Sequence, residues 1–193
     1  LVSGCVISNN SAALSSSGYQ GGGLYMTSGI AENCLVVGNY IDGTGGVYIK
    51  GGTFRNCTVY GNDSRDKDAK GFSGGINATG GAVVNTIAFG NIARVATGGT
   101  IDRTGIEALF SYCCTPVAYG VSCVTEDPCF TDAAARDFTI PRTSPCHDKG
   151  LYQTWMDDAS DLAGNPRVDH RQKVDIGCYE AMYVAPETLL LIR

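Results

Sequence analysis

The sequence has few charged residues, and its basic residues form no run. Charged residues make up 17% of the chain, against roughly 25% in an average soluble domain. Much of the chain is therefore expected to be buried or to be packed as neutral polar surface. The net charge is −5. Because nucleic-acid binding depends on clustered lysines and arginines, this balance predicts no nucleic-acid partner.

The sequence also lacks long apolar segments and uninterrupted helical segments. The longest late apolar run, residues 188–192, is far shorter than the ~20 residues that a membrane-spanning helix needs. We therefore expect no membrane span. Glycine, at 26 residues, punctuates the chain, and the segments between glycines are too short for helices of ten or more residues. β-Branched and aromatic residues dominate these segments, which favours an all-β protein.

Four copies of one motif are present, and they start near residues 4, 33, 56 and 85. A Gly-Gly pair begins at residues 22, 45 and 74, always 12 residues before the cysteine or threonine of the next copy. The reverse distance, from a cysteine to the following pair, is 17, 11 or 17 residues. Such self-similarity marks a solenoid. We predict a right-handed parallel β-helix of about four coils, with three short strands per coil and insertions at one corner.

The repeat weakens after the fourth copy. We predict coils over residues 1–115, a C-terminal capping region over 116–185 and a tail or linker over 186–193. The cap would cover the open strand edges at the end of the stack. Because the chain starts at Leu1 inside a repeat-like strand, we expect the remainder of a longer β-helix chain, or neighbouring subunits, to continue the stack.

Cysteines and asparagines recur at fixed places in the repeat. Cys5, Cys34 and Cys57 hold equivalent positions, which predicts an internal ladder of small core thiols. An asparagine follows the third strand of each copy, where it suits either a left-handed corner or a hydrogen-bonded ladder along the stack; these are Asn10, Asn39, Asn62 and Asn91. Six further cysteines favour disulfides over a metal site, with 15 pairings open: Cys113, Cys114, Cys123, Cys129, Cys146 and Cys178.

The variable corner carries the candidate catalytic and ligand-binding residues. Its acidic residues, with basic residues beside them, could form a carboxylate cluster that acts on an acidic glycan; the alternative is a solvated loop of mixed charge. The catalytic candidates are Asp42, Asp63, Asp66, Asp68, Lys67 and Lys70. Tyrosine suits sugar stacking but is also an ordinary strand residue; the ligand-binding candidates are Tyr19, Tyr40 and Arg65.

The last third of the chain resembles the C-terminal part of large secreted bacterial β-helix proteins that often end in a surface-anchoring signal. The matching motifs are DPCF at 127–130, DFTI at 137–140, SPCHDKG at 144–150, DLAGNPR at 161–167 and VDIGCYE at 174–180. The coils are similar to the repeats of polymorphic outer-membrane proteins. This resemblance implies a parallel β-helix and secretion. Cys178 and His147 depart from the family pattern, and a Cys146–Cys178 disulfide is one hypothesis.

Charged side chains of the capping region sit among glycines and prolines, where carboxylates accept backbone N–H bonds in turns. We expect Arg167 to pair with one of these acids. A Ca²⁺ site built from Asp157, Asp158 and Asp161 is the alternative, although their spacing fits no known calcium loop. His147 beside Asp148, and His170 beside Asp169, are not expected to act as pairs, because sequence neighbours in a strand face opposite sides.

The combined expectation is a secreted protein at the outer cell surface with a structural or adhesive role. Its loops would present themselves to a glycan or to a cell-surface protein. The alternatives are a polysaccharide lyase or glycoside hydrolase acting on an acidic glycan, and a subunit of an extracellular fibre.

Overall fold

The structure, a computed structural model, describes residues 1–12, 21–65, 73–93 and 102–181. The described part is all-β, and its strands are two or three residues long. In chain order they are β1 (Val2–Ser3), β2 (Val6–Ser8), β3 (Ser11–Ala12), β4 (Leu24–Met26), β5 (Ile30–Glu32), β6 (Leu35–Val37), β7 (Tyr40–Ile41), β8 (Val47–Ile49), β9 (Thr53–Arg55), β10 (Thr58–Tyr60), β11 (Asp63–Ser64), β12 (Ile76–Ala78), β13 (Ala82–Val84), β14 (Ile87–Phe89), β15 (Ile92–Ala93), β16 (Arg103–Gly105) and β17 (Phe110–Ser111). Single 3₁₀ turns occur at Glu107–Leu109 and Thr154–Met156. No helix in these described ranges is long and apolar enough to cross a membrane.

These strands form four parallel sheets, and each repeat contributes one strand to every sheet. Sheet 1 has the order β1-β5-β9-β13-β17, sheet 2 is β14-β10-β6-β2, sheet 3 is β15-β11-β7-β3, and sheet 4 is β16-β12-β8-β4. The pairing follows the sequence repeat, since Val36 lies opposite both Ile7 and Val59. All-β stacking of parallel strands is thus observed, and it is compatible with a solenoid.

Each repeat has four strands rather than the predicted three. The additional strands form sheet 3 and lie at the start of segments predicted as variable loop. They are only two residues long, which is too short for an alternating pattern to appear in the sequence. The stacking also continues beyond the predicted boundary near residue 115, because Ser111 pairs with Val121 and Cys114 pairs with Val124.

Insertions are confined to one corner, between sheet 3 and sheet 4. The connections there are residues 13–23, 42–46, 65–75 and 94–102, whereas sheets 1 and 2 are always joined by two residues. The Gly-Gly pair ends this corner. A Cβ on Gly46 would lie 2.6 Å from the Gly75 carbonyl oxygen, which is too close for any side chain. The pair is therefore needed for adjacent repeats to approach each other.

The core is filled by the inward-facing residues of all four sheets and by a cysteine ladder. Cys34 and Cys57 are fully buried, and the Cys57 sulfur accepts from the Cys34 N–H at 3.4 Å. Each rung donates to the carbonyl two residues before it, as in Cys57 to Arg55 at 3.1 Å and Thr86 to Val84 at 2.9 Å. Cys113 repeats this contact with Ser111 at 3.3 Å. Cys113 thus occupies a ladder position, although the sequence suggested a disulfide.

A ladder of asparagines runs parallel to the cysteines. The Nδ2 groups of Asn10, Asn39 and Asn62 each donate to the next Oδ1 along the stack at 2.9 Å. Each Oδ1 also accepts the backbone N–H of the preceding asparagine. The ladder ends at Asp102, whose Oδ1 accepts from Asn91 Nδ2 at 2.9 Å. Burial raises the pKa of Asp102.

The left-handed corner uses a different set of asparagines from the one predicted. Asn33, Asn56 and Asn85 have φ near +50°, and each immediately precedes the cysteine or threonine of the ladder. At the corner where the sequence predicted a left-handed Asn39, Asn62 or Asn91, the residue with positive φ is instead the preceding glycine, at position 38, 61 or 90. The asparagine after each glycine is therefore free to bond along the stack, which resolves the two alternatives in favour of the ladder.

The C-terminal region, residues 125–181, lies along the outer face of sheet 2 rather than over the end of the stack. Leu35 and Val37 pack with Phe138 and Cys178 in one buried cluster. A second cluster joins Ile87 and Cys114 to Ile140, Cys146 and Ile176. The region therefore contacts several successive repeats.

Close approach to sheet 2 requires a glycine in this region. Gly177 has φ +110°, and a Cβ there would lie 2.8 Å from Ile87 Cδ1. Its amide donates to the Asn85 carbonyl at 2.9 Å, and the next amide, of Cys178, donates to Thr58 Oγ1 at 3.2 Å. Gly177 and Cys178 are thus hydrogen-bonded directly onto the stack.

We expect Asn62→Ala to lower the free energy of unfolding by about 2–4 kcal/mol, because the two Asn39 donors lose their buried acceptor. Urea unfolding followed by circular dichroism measures this. The control is Asn77→Ala, since the half-buried Asn77 side chain has no hydrogen bond within the described ranges; we expect a change within about 0.5 kcal/mol. Equal effects of the two substitutions would contradict the ladder.

Candidate functional site

A concave site in the described part of the chain lies in the C-terminal region. It is a cavity of about 660 Å³, within the range of small-ligand pockets. Its lining is strongly charged: Arg142, His147, Asp148, Asn165, Pro166, Val168, Asp169, His170, Arg171, Lys173, Asp175, Glu180 and Ala181. The sequence did not predict this cavity, because its residues come from three segments with no shared periodicity.

His147 and Asp175 form the centre of the cavity wall. His147 Nδ1 lies 2.9 Å from Asp175 Oδ1 and 3.8 Å from Asp148 Oδ1. Asp175 is 1% exposed, and its carboxylate also accepts the backbone N–H groups of Asp148 at 2.7 Å and Ala181 at 2.6 Å. Asp175 therefore holds the histidine and fixes the turn that carries it.

This arrangement corrects the expectation that His147 and Asp148 lie apart. The expectation assumed a strand, but the two residues lie in a turn, where successive side chains can converge. His147, Asp148 and Asp175 have ligand atoms within 4.8 Å of one another, so their spacing would suit a divalent cation. However, the Asp175 carboxylate already makes three hydrogen-bond contacts, with the His147 ring and with two backbone N–H groups. The geometry is therefore that of a hydrogen-bond network formed by the protein itself.

Arg171 closes one side of the cavity. Its Nε lies 2.6 Å from Asp169 Oδ2, and its Nη2 lies 3.0 Å from Asp148 Oδ2. Burial alone would raise the pKa of Asp169, but hydrogen bonds from Lys173 and Arg171 outweigh it and lower that pKa. Arg171 and Lys173 are exposed, so the cavity mouth carries positive charge in contact with solvent.

A fully buried arginine, Arg167, lies next to Glu180 of the cavity lining. Arg167 Nε lies 3.1 Å from Glu180 Oε1, so the predicted pairing of Arg167 with an acid is observed. Its Nη2 donates to the carbonyls of Asp175 at 3.0 Å and Gly177 at 2.6 Å. With the Asn56 amide oxygen facing the guanidinium, that oxygen accepts from Arg167 Nε at 3.1 Å. Arg167 thereby connects Glu180 of the cavity lining to the stack.

Glu180 lies near two other carboxylates, those of Asp175 and Asp161, as well as near the Arg167 guanidinium. Burial is the largest influence and raises the pKa of Glu180 to about 9, and the charges of Asp175 and Asp161 act in the same direction. Arg167 opposes the shift without cancelling it. Glu180 is therefore protonated at neutral pH.

At the variable corner, fewer of the predicted catalytic and ligand-binding residues lie close to one another. Arg65 Cζ lies 3.7 Å from the centre of the Tyr40 ring, and its Nε lies 3.3 Å from Asp63 Oδ2. Asp42 is exposed. The remaining candidates lie outside the described residues: Tyr19, Asp66, Lys67, Asp68 and Lys70. The described carboxylates of this corner belong to no group of three converging acidic or histidine side chains.

The calcium candidates are separated in the structure. Asp161 is buried, and its carboxylate accepts from Ala163, Asn165 and the Glu180 amide. Asp157 accepts from the Tyr152 hydroxyl at 2.8 Å, and Asp158 is exposed. Within residues 102–181 the three carboxylates do not converge on one point, because Asp161 is needed to hold its own turn.

All nine cysteines are free thiols in the structure. Cys123 lies at the end of the stack with Cys113, and Cys129 is exposed. Cys146 and Cys178 fall in different buried clusters, so the structure does not bring together the pair suggested by the family resemblance. Cys146 lies instead with Cys114.

We expect Glu180→Gln to change the pH dependence of stability. The pKa of Glu180 is raised from 4.5 to about 9 on folding, so the folded state retains a proton that the unfolded state releases. Stability is therefore lost as the pH rises between these values. E180Q keeps a neutral side chain at every pH. The free energy of unfolding of E180Q, relative to that of the wild type, should therefore increase by on the order of 1 kcal/mol or more between pH 5 and pH 8.

Urea unfolding at several pH values measures this difference. The control is E107Q, which removes a solvent-exposed carboxylate. Parallel stability curves for the wild type and E180Q would contradict the protonated state of Glu180.

Comparisons with known proteins do not identify this chain. No protein-family model, no curated protein and no solved structure matches it. The resemblance to secreted β-helix proteins therefore stays a prediction.

Proposed function

We propose that the chain forms a right-handed parallel β-helix at the outer surface of a cell, where it has a structural and adhesive role and binds an acidic glycan. The four parallel sheets support the fold, since each repeat adds one strand to every sheet in register. Right-handed connections are the strong preference between parallel strands of one sheet. The motif resemblance in the sequence supports secretion.

The proposed role rests on one observation: the C-terminal region covers one part of the surface of the stack and leaves another part uncovered. The C-terminal region covers the outer face of sheet 2. It also reaches sheet 1, where Arg55 Cζ lies 3.7 Å from the centre of the Trp155 ring. Sheets 3 and 4, with the variable corner between them, have no such cover in the described residues. Insertions at one corner commonly form the binding face of a repeat protein.

The outer faces of sheets 3 and 4 carry aromatic rings with cations beside them. Tyr25 and Tyr48 are stacked with their ring centres 5.7 Å apart, and Lys50 Nζ lies 5.8 Å from both centres. On sheet 3, Arg65 covers Tyr40. Tyrosine rings pack against the apolar faces of sugars, and cations attract carboxylates. This combination supports an acidic glycan, bound through repeated shallow contacts.

Adhesion accounts for this surface better than polysaccharide cleavage does. A glycosidase needs two carboxylates held at a defined separation. At the variable corner Asp63 is engaged by Arg65, and the converging acidic and histidine side chains of the described chain lie in the C-terminal region instead. Adhesion needs only an exposed ring with a cation beside it, as at Tyr25 and Lys50.

Affinity electrophoresis through gels containing polysaccharide tests this role. We expect a uronate-containing polysaccharide to retard the wild type and a neutral one to leave its mobility unchanged. Lys50→Ala and Tyr25→Ala should each weaken binding several-fold, because each removes a cation or a stacking ring. The matched control is Lys149→Ala, an exposed lysine of the C-terminal region, which should bind like the wild type.

Two outcomes would overturn the proposal. Equal mobility in every polysaccharide gel would remove glycan binding. Release of unsaturated or reducing sugars from the polysaccharide would show an enzyme instead of an adhesive protein.

A further inference from the structure

We propose that Cys114 and Cys146 form a disulfide that ties the stacked repeats to the C-terminal region. Both side chains are fully buried and belong to the same apolar cluster. Cys114 belongs to the stack, where its amide donates to the Thr86 carbonyl at 2.9 Å. Cys146 belongs to a turn of the C-terminal region. The two cysteines therefore meet across the interface between these two parts of the chain.

The two thiols interact with each other. A hydrogen bond with Cys146, together with burial, raises the pKa of Cys114. The Cys114 sulfur also contacts the Glu126 carbonyl at 3.5 Å. The surrounding residues are Ile87, Ile140 and Ile176. An apolar enclosure of this kind leaves two polar thiols with little to bond except each other, and a disulfide would remove both S–H groups.

The ladder cysteines are also neighbours, but their environment favours free thiols. Cys34 and Cys57 each donate to a carbonyl at 3.1 Å. The same position is filled by Thr86, whose hydroxyl makes the equivalent bond at 2.9 Å. A threonine cannot form a disulfide, so the ladder position needs a small hydrogen-bonding side chain rather than a cross-link.

The other cysteines are less suitable partners. Cys178 lies in the cluster of Leu35, Val37 and Phe138. Cys129 is exposed. Cys123 packs at the end of the ladder beside the core that contains Cys113. Cys114 and Cys146 are thus the pair that joins the two parts of the molecule.

The bond must form before the C-terminal region is fully packed, because thiol–disulfide exchange needs a thiolate and burial disfavours one. The oxidant would be a low-molecular-weight disulfide. One cysteine thiolate attacks it, forming a mixed disulfide and releasing one small thiol. The second cysteine then attacks the protein sulfur and releases the other small thiol. Two protein thiols are oxidised, and one small disulfide is reduced to two thiols.

The linkage closes a loop of about 30 residues, which stabilises the folded state mainly by restricting the unfolded chain. The predicted gain corresponds to about 10 °C in the midpoint of thermal unfolding for a chain of this size.

The test uses the full chain, refolded from its reduced and denatured state in a buffer of reduced and oxidised glutathione. The product is alkylated under denaturing conditions, and intact-mass spectrometry counts the blocked thiols. The chain has nine cysteines, so the proposal predicts seven alkylated thiols. Trypsin releases residues 143–149 with Cys146 as their one cysteine, and this peptide should appear linked to residues 104–136.

Three variants locate the bond. C114S and C146S should each show eight alkylated thiols, and the thermal midpoint of each should not respond to a reducing agent. C113S is the matched control, because it alters the neighbouring residue; it should show six alkylated thiols and keep the linked peptide. The wild-type midpoint should fall by about 10 °C on reduction.

Nine alkylated thiols in the folded wild type would overturn the proposal. So would a linkage of residues 143–149 to the peptide that carries Cys178. If a variant fails to fold, a count of nine thiols in the wild type still overturns the proposal.

Discussion

The structure depends on keeping every repeat in register with the next one. A strand of two or three residues offers little stability by itself, so the hydrogen bonds between repeats must compensate. The asparagine ladder fixes this register, because each Oδ1 accepts both the side chain and the backbone of the preceding asparagine. A shift by one residue would break every such pair and turn the inward-facing core residues outward. This constraint explains why insertions occur at one corner alone.

The same regularity creates the surface on which the C-terminal region lies. The left-handed corner between sheets 1 and 2 presents an asparagine side chain outside the stack in three repeats, and Asn9 of the first repeat does so at the next corner. Asn33 donates to the Ser160 carbonyl at 3.0 Å, and Asn85 Oδ1 accepts from the Leu151 amide at 2.7 Å. Asn56 faces Arg167, and Arg136 Nη2 donates to Asn9 Oδ1 at 2.9 Å. One column of asparagines thus holds the register while a second column binds the C-terminal region.

The structural elements that repeat could be predicted from the sequence, whereas those that do not repeat could not. The 12-residue spacing of the Gly-Gly pairs, the cysteine ladder and the variable corner all follow from local similarity between copies. The place of the C-terminal region does not, because contacts such as Asn56 with Arg167 join distant residues without periodicity. The contact between His147 and Asp175 could not be predicted for the same reason, since the two residues are 28 positions apart. Cys113 was not recognised as a ladder residue because Tyr112 precedes it, where Cys34 and Cys57 follow an asparagine.

The central claim is that the C-terminal region is held against the side of the stack through Asn56 and Arg167. A double-mutant cycle measures it directly, with N56A, R167K and the double variant compared by urea unfolding. R167K keeps the positive charge near Glu180 but cannot reproduce the contacts of the guanidinium with Asn56. We predict a coupling energy of about 1–3 kcal/mol. Additive effects, with coupling below about 0.3 kcal/mol, would contradict the lateral position of the C-terminal region.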